Sequence, residues 1–206
     1  MDNSTQANSV SWEVGGKWIL ANFIGSISGA VFMFFIAYVM SGGFGSPSYM
    51  DPNAEPVKID LLRMLSPLFF MGAIFGFLLA MCQALAIAAH LRSLTAWVFL
   101  TAIGFGIGQM SEYVLENIHF SWLLTCTLVG IFQWFILRTQ VQKSWLWIIA
   151  NVAVGAGIEI LGGWSGGVIA YLSLAFGSIV TGITLAWLIV HPVKLEKKTA
   201  DNQEQE

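Results

Sequence analysis

The sequence predicts an all-α integral membrane protein whose six transmembrane helices form three tandem hairpins. First, the chain of 206 residues is 56% hydrophobic and only 10% charged, whereas soluble domains carry roughly 25% charged residues. Second, the apolar residues lie in continuous stretches close to the ~20 residues that cross a bilayer as a helix. Third, a tryptophan-led segment recurs along the chain. Water does not solvate this much apolar surface, but lipid does.

Six continuous apolar stretches supply the predicted helices. None of them alternates with the period of two that membrane-barrel strands require, so helices are expected instead. The stretches are 18–40, 65–89, 95–115, 120–137, 145–161 and 167–190, and they pair into hairpins 18–90, 95–138 and 145–190.

The first hairpin opens with Trp18-Ile19-Leu20-Ala21-Asn22. The polar residues 1–17 before it lack the apolar core of a cleavable signal peptide, so they are predicted to form a cytoplasmic N-terminal tail. Residues 41–64 separate the two helices of this hairpin as a long loop rich in Gly, Ser and Pro. We expect this loop to lie on the outer side of the membrane.

The second and third hairpins repeat the opening of the first. Trp97-Val98-Phe99-Leu100-Thr101 and Trp147-Ile148-Ile149-Ala150-Asn151 lie 50 residues apart, and Gln83 and Gln133 in the closing helices have the same separation. Matching the closing helices predicts that Leu185 takes the place of the glutamine in the third hairpin. Every hairpin starts on the same side, so the copies are parallel, unlike the inverted repeats of many carriers.

The distribution of Lys and Arg predicts the orientation in the membrane. Seven of the nine basic residues fall on one side, and only Lys58 and Arg63 fall on the other. The positive-inside rule therefore places both termini in the cytoplasm. Residues 191–206 are charged and poor in aromatic side chains, so this C-terminal tail is expected to be disordered.

Tryptophan and glycine positions predict how the helices are held. Trp18, Trp97 and Trp147, the last with Trp145 beside it, open helices at the predicted cytoplasmic surface, where an indole typically anchors at headgroup depth. Interfacial anchoring is therefore the expected role, with stacking on a pigment or ligand as the alternative. The spacings Gly25-x-x-x-Gly29 and Gly72-x-x-x-Gly76 let helix backbones approach closely. We expect packing within one chain, and self-association through these glycine faces stays open.

A polar layer is predicted near the cytoplasmic ends of the helices. The polar residue that ends each tryptophan-led segment lies four residues after the tryptophan, or ~6 Å into the helix. Glutamines on the helices that run back reach a similar depth, and interhelical bonds of this kind contribute ~0.6–2 kcal/mol. The predicted layer consists of Asn22, Gln83, Thr101, Gln133 and Asn151.

Glu159, near the outer end of the fifth helix, defines a candidate polar or ion site. The 50-residue offset aligns it with Gln109, and Glu112 and Glu116 follow close by in the chain. An ionisable side chain deep in a span is costly and marks function. Because Glu159 lies only two residues before the predicted edge at Leu161, an interfacial or packing role is the leading interpretation. A cation or proton site is the alternative.

The sequence has no legible pattern for catalysis or metal binding. Its formal charge of -3 and its isoelectric point of about 5.6 argue against a nucleic-acid partner. Cys82 and Cys126 lie in apolar stretches and are expected to pack as small apolar side chains. Solvation at the membrane interface is expected for the three histidines rather than haem ligation. We therefore predict a non-enzymatic protein without metal or cofactor.

The repeated motifs resemble a known group of sequences. The Trp-x-x-x-Asn opening, the glycine-spaced helix and the closing segment Gly130-Ile131-Phe132-Gln133-Trp134-Phe135-Ile136-Leu137-Arg138 resemble uncharacterised bacterial polytopic membrane proteins that are frequent in cyanobacteria. The resemblance covers most of residues 18–190, and the second and sixth helices depart from it. It implies the cell inner membrane or a thylakoid membrane as the setting, and it implies no activity.

Two classes of function follow from these observations. The first is a structural, assembly or accessory component of a membrane complex, with lipid and other membrane subunits as its partners. The second is a small carrier or channel for an ion or apolar metabolite, with an acidic site on the outer side. A solute path usually needs several deep polar or ionisable groups, so the low polarity of the spans favours the first class.

Overall fold

A computed structural model describes residues 3–40, 61–114, 121–161 and 167–192, and this part of the chain is helical apart from short turns. The all-α prediction is confirmed: the described residues contain six helices and no strand, only an isolated bridge between Val141 and Pro192. The helices are α1 (Asn3–Met40), α2 (Leu61–Ile87), α3 (Leu94–Val114), α4 (Ser121–Leu137), α5 (Trp145–Ile160) and α6 (Gly167–Ile189).

The helix bounds follow the apolar stretches closely, with one difference. Helix α1 begins at Asn3 rather than Trp18, so the polar N-terminal residues continue the first span as one helix. Most of the long loop (41–60), together with Glu116, His119 and the tail beyond Pro192, lies outside the described residues.

Three of the helices are long and apolar enough to cross a membrane. These segments are Trp12–Ile36, Leu65–Ile87 and Leu94–Ser111, and the shorter apolar helices are Ser121–Leu137, Trp145–Ile160 and Ala175–Ile189. Large apolar side chains such as Val31, Leu85 and Ile160 are exposed on the outside of the bundle. An outer surface of this kind is suited to lipid contact.

The six helices form a closed ring. Each helix packs against its neighbours in the chain, and α6 returns to pack against α1. The seam between these two is tight: a Cβ added at Gly15 would lie 3.2 Å from the carbonyl oxygen of Gly182. Odd-numbered helices begin at the end of the bundle where even-numbered helices finish, so neighbouring helices are antiparallel.

Glycines set the distance between neighbouring helices. A Cβ added at Gly25 would lie 2.9 Å from the Cα of Leu79 on α2, and one at Gly72 would lie 2.5 Å from the carbonyl oxygen of Phe105 on α3. Contacts this short need a residue without a side chain. Gly29 and Gly76 are also buried against neighbouring aromatic rings, so both glycine-spaced pairs pack within the chain.

One end of the bundle, which we call the basic end, is formed by residues 88–93, 138–144 and 190–192. Its three segments are joined by hydrogen bonds. The backbone N–H of Arg92 donates to the side-chain oxygen of Gln140 over 3.1 Å, and the backbone N–H of Gln142 donates to the His191 carbonyl over 2.8 Å. The opposite end, where even-numbered helices begin, is called the far end below.

Candidate functional site

Three tryptophan side chains meet on the axis of the ring near the basic end. The ring centroids of Trp18, Trp97 and Trp147 are 5.8, 5.5 and 5.8 Å apart pairwise, mostly in edge-to-face arrangements. Such pairs are worth ~0.5–1.5 kcal/mol beyond the area they bury. All three side chains are at most 1% exposed. We call these three residues the tryptophan triad.

The expectation that these tryptophans anchor at the lipid interface is wrong. A side chain that is 1% exposed or less contacts other protein atoms on every side and has no headgroup neighbour. Apolar side chains that are almost fully buried pack against the triad toward the basic end, including Ile87, Leu137 and Leu185. Trp145, by contrast, is 52% exposed at the start of α5, which suits an interfacial anchor.

Each indole N–H of the triad donates to a polar side chain on an even-numbered helix. Trp97 Nε1 lies 3.0 Å from Gln83 Oε1, and Trp147 Nε1 lies 2.9 Å from Gln133 Oε1. Trp18 Nε1 lies 3.0 Å from Thr181 Oγ1. In every case the tryptophan lies on the helix that comes next around the ring after the helix of its acceptor. The three bonds therefore link α2 to α3, α4 to α5 and α6 to α1.

The amide nitrogen of each glutamine points back to the first helix of its own hairpin. Gln83 Nε2 donates to Asn22 Oδ1 over 2.9 Å, and Gln133 Nε2 donates to Thr101 Oγ1 over 2.8 Å. A longer contact of 3.5 Å joins Gln133 Nε2 to Gln83 Oε1 across the ring. The structure therefore brings together four of the five residues of the predicted polar layer through interhelical bonds, and all are buried.

Asn151, the fifth member of the predicted layer, is buried at the same depth. Its Nδ2 donates to the Trp147 carbonyl one turn earlier over 2.9 Å, as Asn22 does to Trp18. A Cβ added at Gly130 would lie 2.7 Å from the Cβ of Asn151. This residue thus packs against α4 through a glycine contact.

Sequence reasoning missed Thr181, and the reason lies in the register of α6. We expected Leu185 at the position of the glutamines, but Thr181, one turn earlier, accepts the indole bond. Leu185 follows Thr181 by four residues, as Ile87 follows Gln83, and both apolar side chains are fully buried. Thr181 also donates to the Gly177 carbonyl over 2.7 Å, so its proton is used within its own helix.

The spacing between tryptophan and glycine in the sequence indicates that the triad tryptophans point into the bundle. Gly25 and Gly104 each lie seven residues after a triad tryptophan, which places glycine and indole on the same helix face. A face with glycine packs against another helix, as Gly104 does against Val129. In the third hairpin the glycine and the valine change places. Val154, on the tryptophan-led helix, lies seven residues after Trp147, and the glycine that it packs against, Gly177, lies on α6.

The structure describes part of the candidate acidic site. Glu159 Oε1 accepts hydrogen bonds from the backbone N–H groups of Trp122, at 2.7 Å, and Leu123, at 3.4 Å. These groups belong to the first turn of α4, where helix N–H groups lack partners within the helix and favour a negative charge. Gln109 lines a cavity near the far end, Glu112 lies on α3, and Glu116 lies outside the described residues.

Two cavities lie on the far side of the triad: all six helices line the inner cavity, and α1, α2, α3 and α4 line the outer cavity. The inner cavity has a volume of about 90 Å³ and contacts the polar layer. The outer cavity, nearer the far end, has a volume of about 390 Å³. Phe75, Phe105 and Trp122 line both cavities.

The buried polar groups make a network of neutral hydrogen bonds. Amides, hydroxyls and indoles do not titrate near neutral pH, so the network supports helix association rather than proton transfer. No group of three or more His, Cys, Asp or Glu side chains suited to a metal ion occurs among the described residues. The two cysteines are not joined to each other.

These features define a class of protein: an all-helical bundle with an apolar exterior, three helices long enough to cross a membrane, and a neutral polar network at its centre. No protein-family model, curated protein or solved structure matches this chain.

Proposed function

We propose that this chain is a non-enzymatic multi-pass membrane protein that serves as a structural, assembly or accessory component of a membrane complex. All six helices cross the bilayer in this proposal, and both termini lie in the cytoplasm. The membrane is the cell inner membrane or a thylakoid membrane, as the resemblance of its motifs implies. Its partners are lipid and other membrane subunits.

The antiparallel ring supports six spans. Helices α4 and α5 have 17 and 16 residues, or about 25 Å at 1.5 Å per residue, a few ångströms less than the hydrocarbon core. Membranes accommodate such differences by local thinning or by flanking anchors. Both ends of the described chain lie at the basic end, which carries Lys17, Arg92, Arg138 and Lys143, and the positive-inside rule assigns that end to the cytoplasm.

The interpretation as three parallel hairpins is supported by equivalent contacts. Each hairpin contributes one tryptophan to the triad and one indole acceptor to the polar layer, and the bonds run in one direction around the ring. Three units that each bury one face against the next are closed most simply by a threefold arrangement. The third unit departs from the other two in two respects. Its indole acceptor is Thr181 rather than a glutamine, and the valine of its helix contact, Val154, lies on the first helix while the glycine, Gly177, lies on the second.

The observation that carries the functional proposal is the closure of the ring axis at the basic end. The triad and the apolar side chains packed against it fill the axis there, and the polar groups just beyond bond to one another. A path for ions or polar solutes needs accessible polar groups through the whole bilayer. The closed basic end therefore argues against such a path. A rigid bundle with an apolar exterior suits a subunit or scaffold of a membrane complex.

A carrier or channel is the second candidate, favoured by the polar side of the inner cavity. Asn22, Ser26, Ser173 and Ser178 line this cavity on α1 and α6, and hydroxyls and amides of this kind hold water or a small polar solute. Transport through it would require the triad to separate. The two candidates therefore differ in one measurable property, which is flux.

Flux through the purified protein in liposomes tests the proposal. Proton, potassium, chloride and glycerol permeation should equal that of protein-free liposomes, and disrupting the triad with Trp97→Ala should not create a selective flux. In native membranes, the chain should migrate on native gels with a larger complex whose amount falls when the gene is deleted. A saturable, selective flux with the unmodified protein would overturn the accessory assignment in favour of the carrier.

A further inference from the structure

We propose that the outer cavity is a binding site for a neutral, mainly apolar molecule that has a planar ring and an oxygen-bearing end, either a carbonyl or a hydroxyl. The cavity lies between α1, α2, α3 and α4 in the half of the bundle nearer the far end. It is separate from the closed basic end, and Glu159, which bonds to the backbone of the lining residue Trp122, is not among its lining residues.

The size of the cavity is the first argument. Protein interiors are close-packed, with few voids larger than a water molecule. Away from this cavity, the helices approach to glycine contact, as at Gly25 beside Leu79 and at Gly130 beside Asn151. A cavity of about 390 Å³ lies within the ~300–1,000 Å³ typical of small-molecule sites. Phe34, one of its lining residues, is 72% exposed, so this cavity is a cleft that opens to the outside of the bundle, from where a ligand can enter.

The two sides of the cavity differ in chemistry. The α1 and α2 side is formed by Ala30, Met33, Phe34, Met71, Gly72 and Phe75, none of which has a hydrogen-bonding side chain. The α3 and α4 side adds four side chains that can form hydrogen bonds: Gln109, Ser121, Trp122 and Thr125. Thr125 donates its proton to the Ser121 carbonyl over 2.8 Å, so its oxygen is left as an acceptor. A bound molecule would direct its oxygen toward α3 and α4.

The apolar lining favours a ring over a flexible chain. Four aromatic side chains surround the cavity: Phe34, Phe75, Phe105 and Trp122. Phe75 and Phe105 pack in a tilted pair with centroids 5.2 Å apart. Aromatic faces and edges interact specifically with planar rings, and the thioethers of Met33 and Met71 add polarizable contacts that adapt to ring edges.

The described part of the lining also disfavours charged ligands. None of the described residues that line the cavity is Asp, Glu, Lys, Arg or His. A charged group placed there would lose its hydration without gaining a partner of opposite charge, which is strongly unfavourable. This separates the proposed ligand from the cation or proton considered for the acidic residues. A molecule of the proposed class dissolves in the bilayer and can reach the site from it.

Binding of tetramethyl-1,4-benzoquinone to the full-length protein in nanodiscs of defined phospholipid tests the proposal. This probe has the ring and the oxygens, and its substituted ring carbons resist addition of the cysteine thiols. We expect a saturable component in the quenching of tryptophan fluorescence, because Trp122 lines the cavity. Tetramethylbenzene, which lacks the oxygens, should compete for the same site with an affinity lower by roughly threefold to tenfold, the effect of one hydrogen bond.

Two neighbouring substitutions locate the binding. Ala30→Phe places a ring inside the cavity and should abolish the saturable component. Val31→Phe makes the same change one residue later, on a side chain that is 64% exposed on the outside of the bundle, and it should leave binding intact. Near-UV circular dichroism, to which the buried tryptophans contribute, checks that both variants keep the native packing. Loss of binding in both variants, or in neither, would overturn the assignment to this cavity.

A second pair tests the polar side. Ser121→Ala should raise the Kd of the quinone roughly threefold to tenfold and leave competition by tetramethylbenzene unchanged. Ser111→Ala is the matched control, because the Ser111 hydroxyl donates to the Gly108 carbonyl over 2.6 Å and lies outside the lining. Bilayer lipid is the other source of an apolar occupant. Absence of a saturable quinone component, or its displacement by diacylglycerol but not by tetramethylbenzene, would overturn the proposal.

Discussion

The indole nitrogen of Trp97 lies 3.0 Å from the side-chain oxygen of Gln83, which precedes it by 14 residues in the chain. Trp147 and Gln133 repeat this relationship at the same separation and at 2.9 Å. In both pairs, the glutamine uses its nitrogen for a second bond to another helix. One side chain thus connects three helices, and removing it leaves a buried indole N–H without its acceptor.

Gln133→Leu should destabilise the folded protein by about 1–3 kcal/mol, since the Trp147 N–H loses its acceptor and Thr101, which still donates to the Trp97 carbonyl, loses the bond from Gln133. The measurement is thermal or denaturant unfolding in nanodiscs or detergent. Gln140→Leu is the control, because Gln140 bonds at the basic end, where water can replace it, and it should change stability by less than about 0.5 kcal/mol. Equal stability of the two variants would contradict the role assigned to the buried glutamine.

Thr181→Val should leave the Trp18 N–H without its acceptor and destabilise the protein by about 1 kcal/mol. Thr184→Val is a matched control on the same helix: Thr184 donates to the Val180 carbonyl one turn back, as Thr181 does to Gly177. The unfolding midpoints of the two variants compare the loss of an indole acceptor with the loss of a local bond alone. A midpoint for Thr181→Val at or above that of Thr184→Val would argue against the third indole bond.

Trp97→Phe should destabilise the protein by about 2–4 kcal/mol, because it removes a buried hydrogen bond and leaves a void beside the other two indoles. Trp145→Phe changes an indole that is 52% exposed, and its effect should stay within about 0.5 kcal/mol. Unfolding followed by near-UV circular dichroism measures both. The opposite ranking would restore the interfacial interpretation of the triad residues.

The pairing of polar groups could be predicted from the sequence because it depends only on depth. Asn22 and Gln83 occupy similar positions relative to their helix ends, and helix rise alone places them at one level. The direction of the tryptophans could not be predicted from hydrophobicity, because lipid and protein interior are equally apolar in a membrane. The same ambiguity hid Thr181: both it and Leu185 lie on the packed face of α6, and the register of this helix depends on contacts with α5 and α1, such as those of Gly177 with Val154 and of Gly182 with Gly15.

The proposed topology can be tested with single cysteines placed at Ser4, Pro52 and Gln203 after Cys82 and Cys126 are replaced by alanine. A membrane-impermeant maleimide applied to intact cells or right-side-out vesicles should label position 52 and not the other two. Inverted vesicles should give the reverse pattern. Labelling of position 52 from the same side as either terminus would rule out six spans with cytoplasmic termini.

Glu159 is the residue for which packing and transport make opposite predictions. Its Oε1 atom accepts from two backbone N–H groups at the start of α4. Glu159→Gln keeps a carbonyl oxygen for these donors and loses only the interaction of the charge with the helix dipole, about 0.3–1 kcal/mol. Glu159→Leu removes the acceptor as well and should cost about 1–2 kcal/mol more, in the range of losing a helix cap.

Stability and flux of the two Glu159 variants, measured on the same preparations, distinguish the roles. A packing role requires graded unfolding midpoints, with the wild type highest and Glu159→Leu lowest, and no difference in ion flux among the three proteins. A cation or proton site requires that Glu159→Gln abolish a flux that the wild type supports while leaving the midpoint nearly unchanged. The bonds to Trp122 and Leu123 engage the carboxylate in helix packing, so we expect the graded midpoints and unchanged flux.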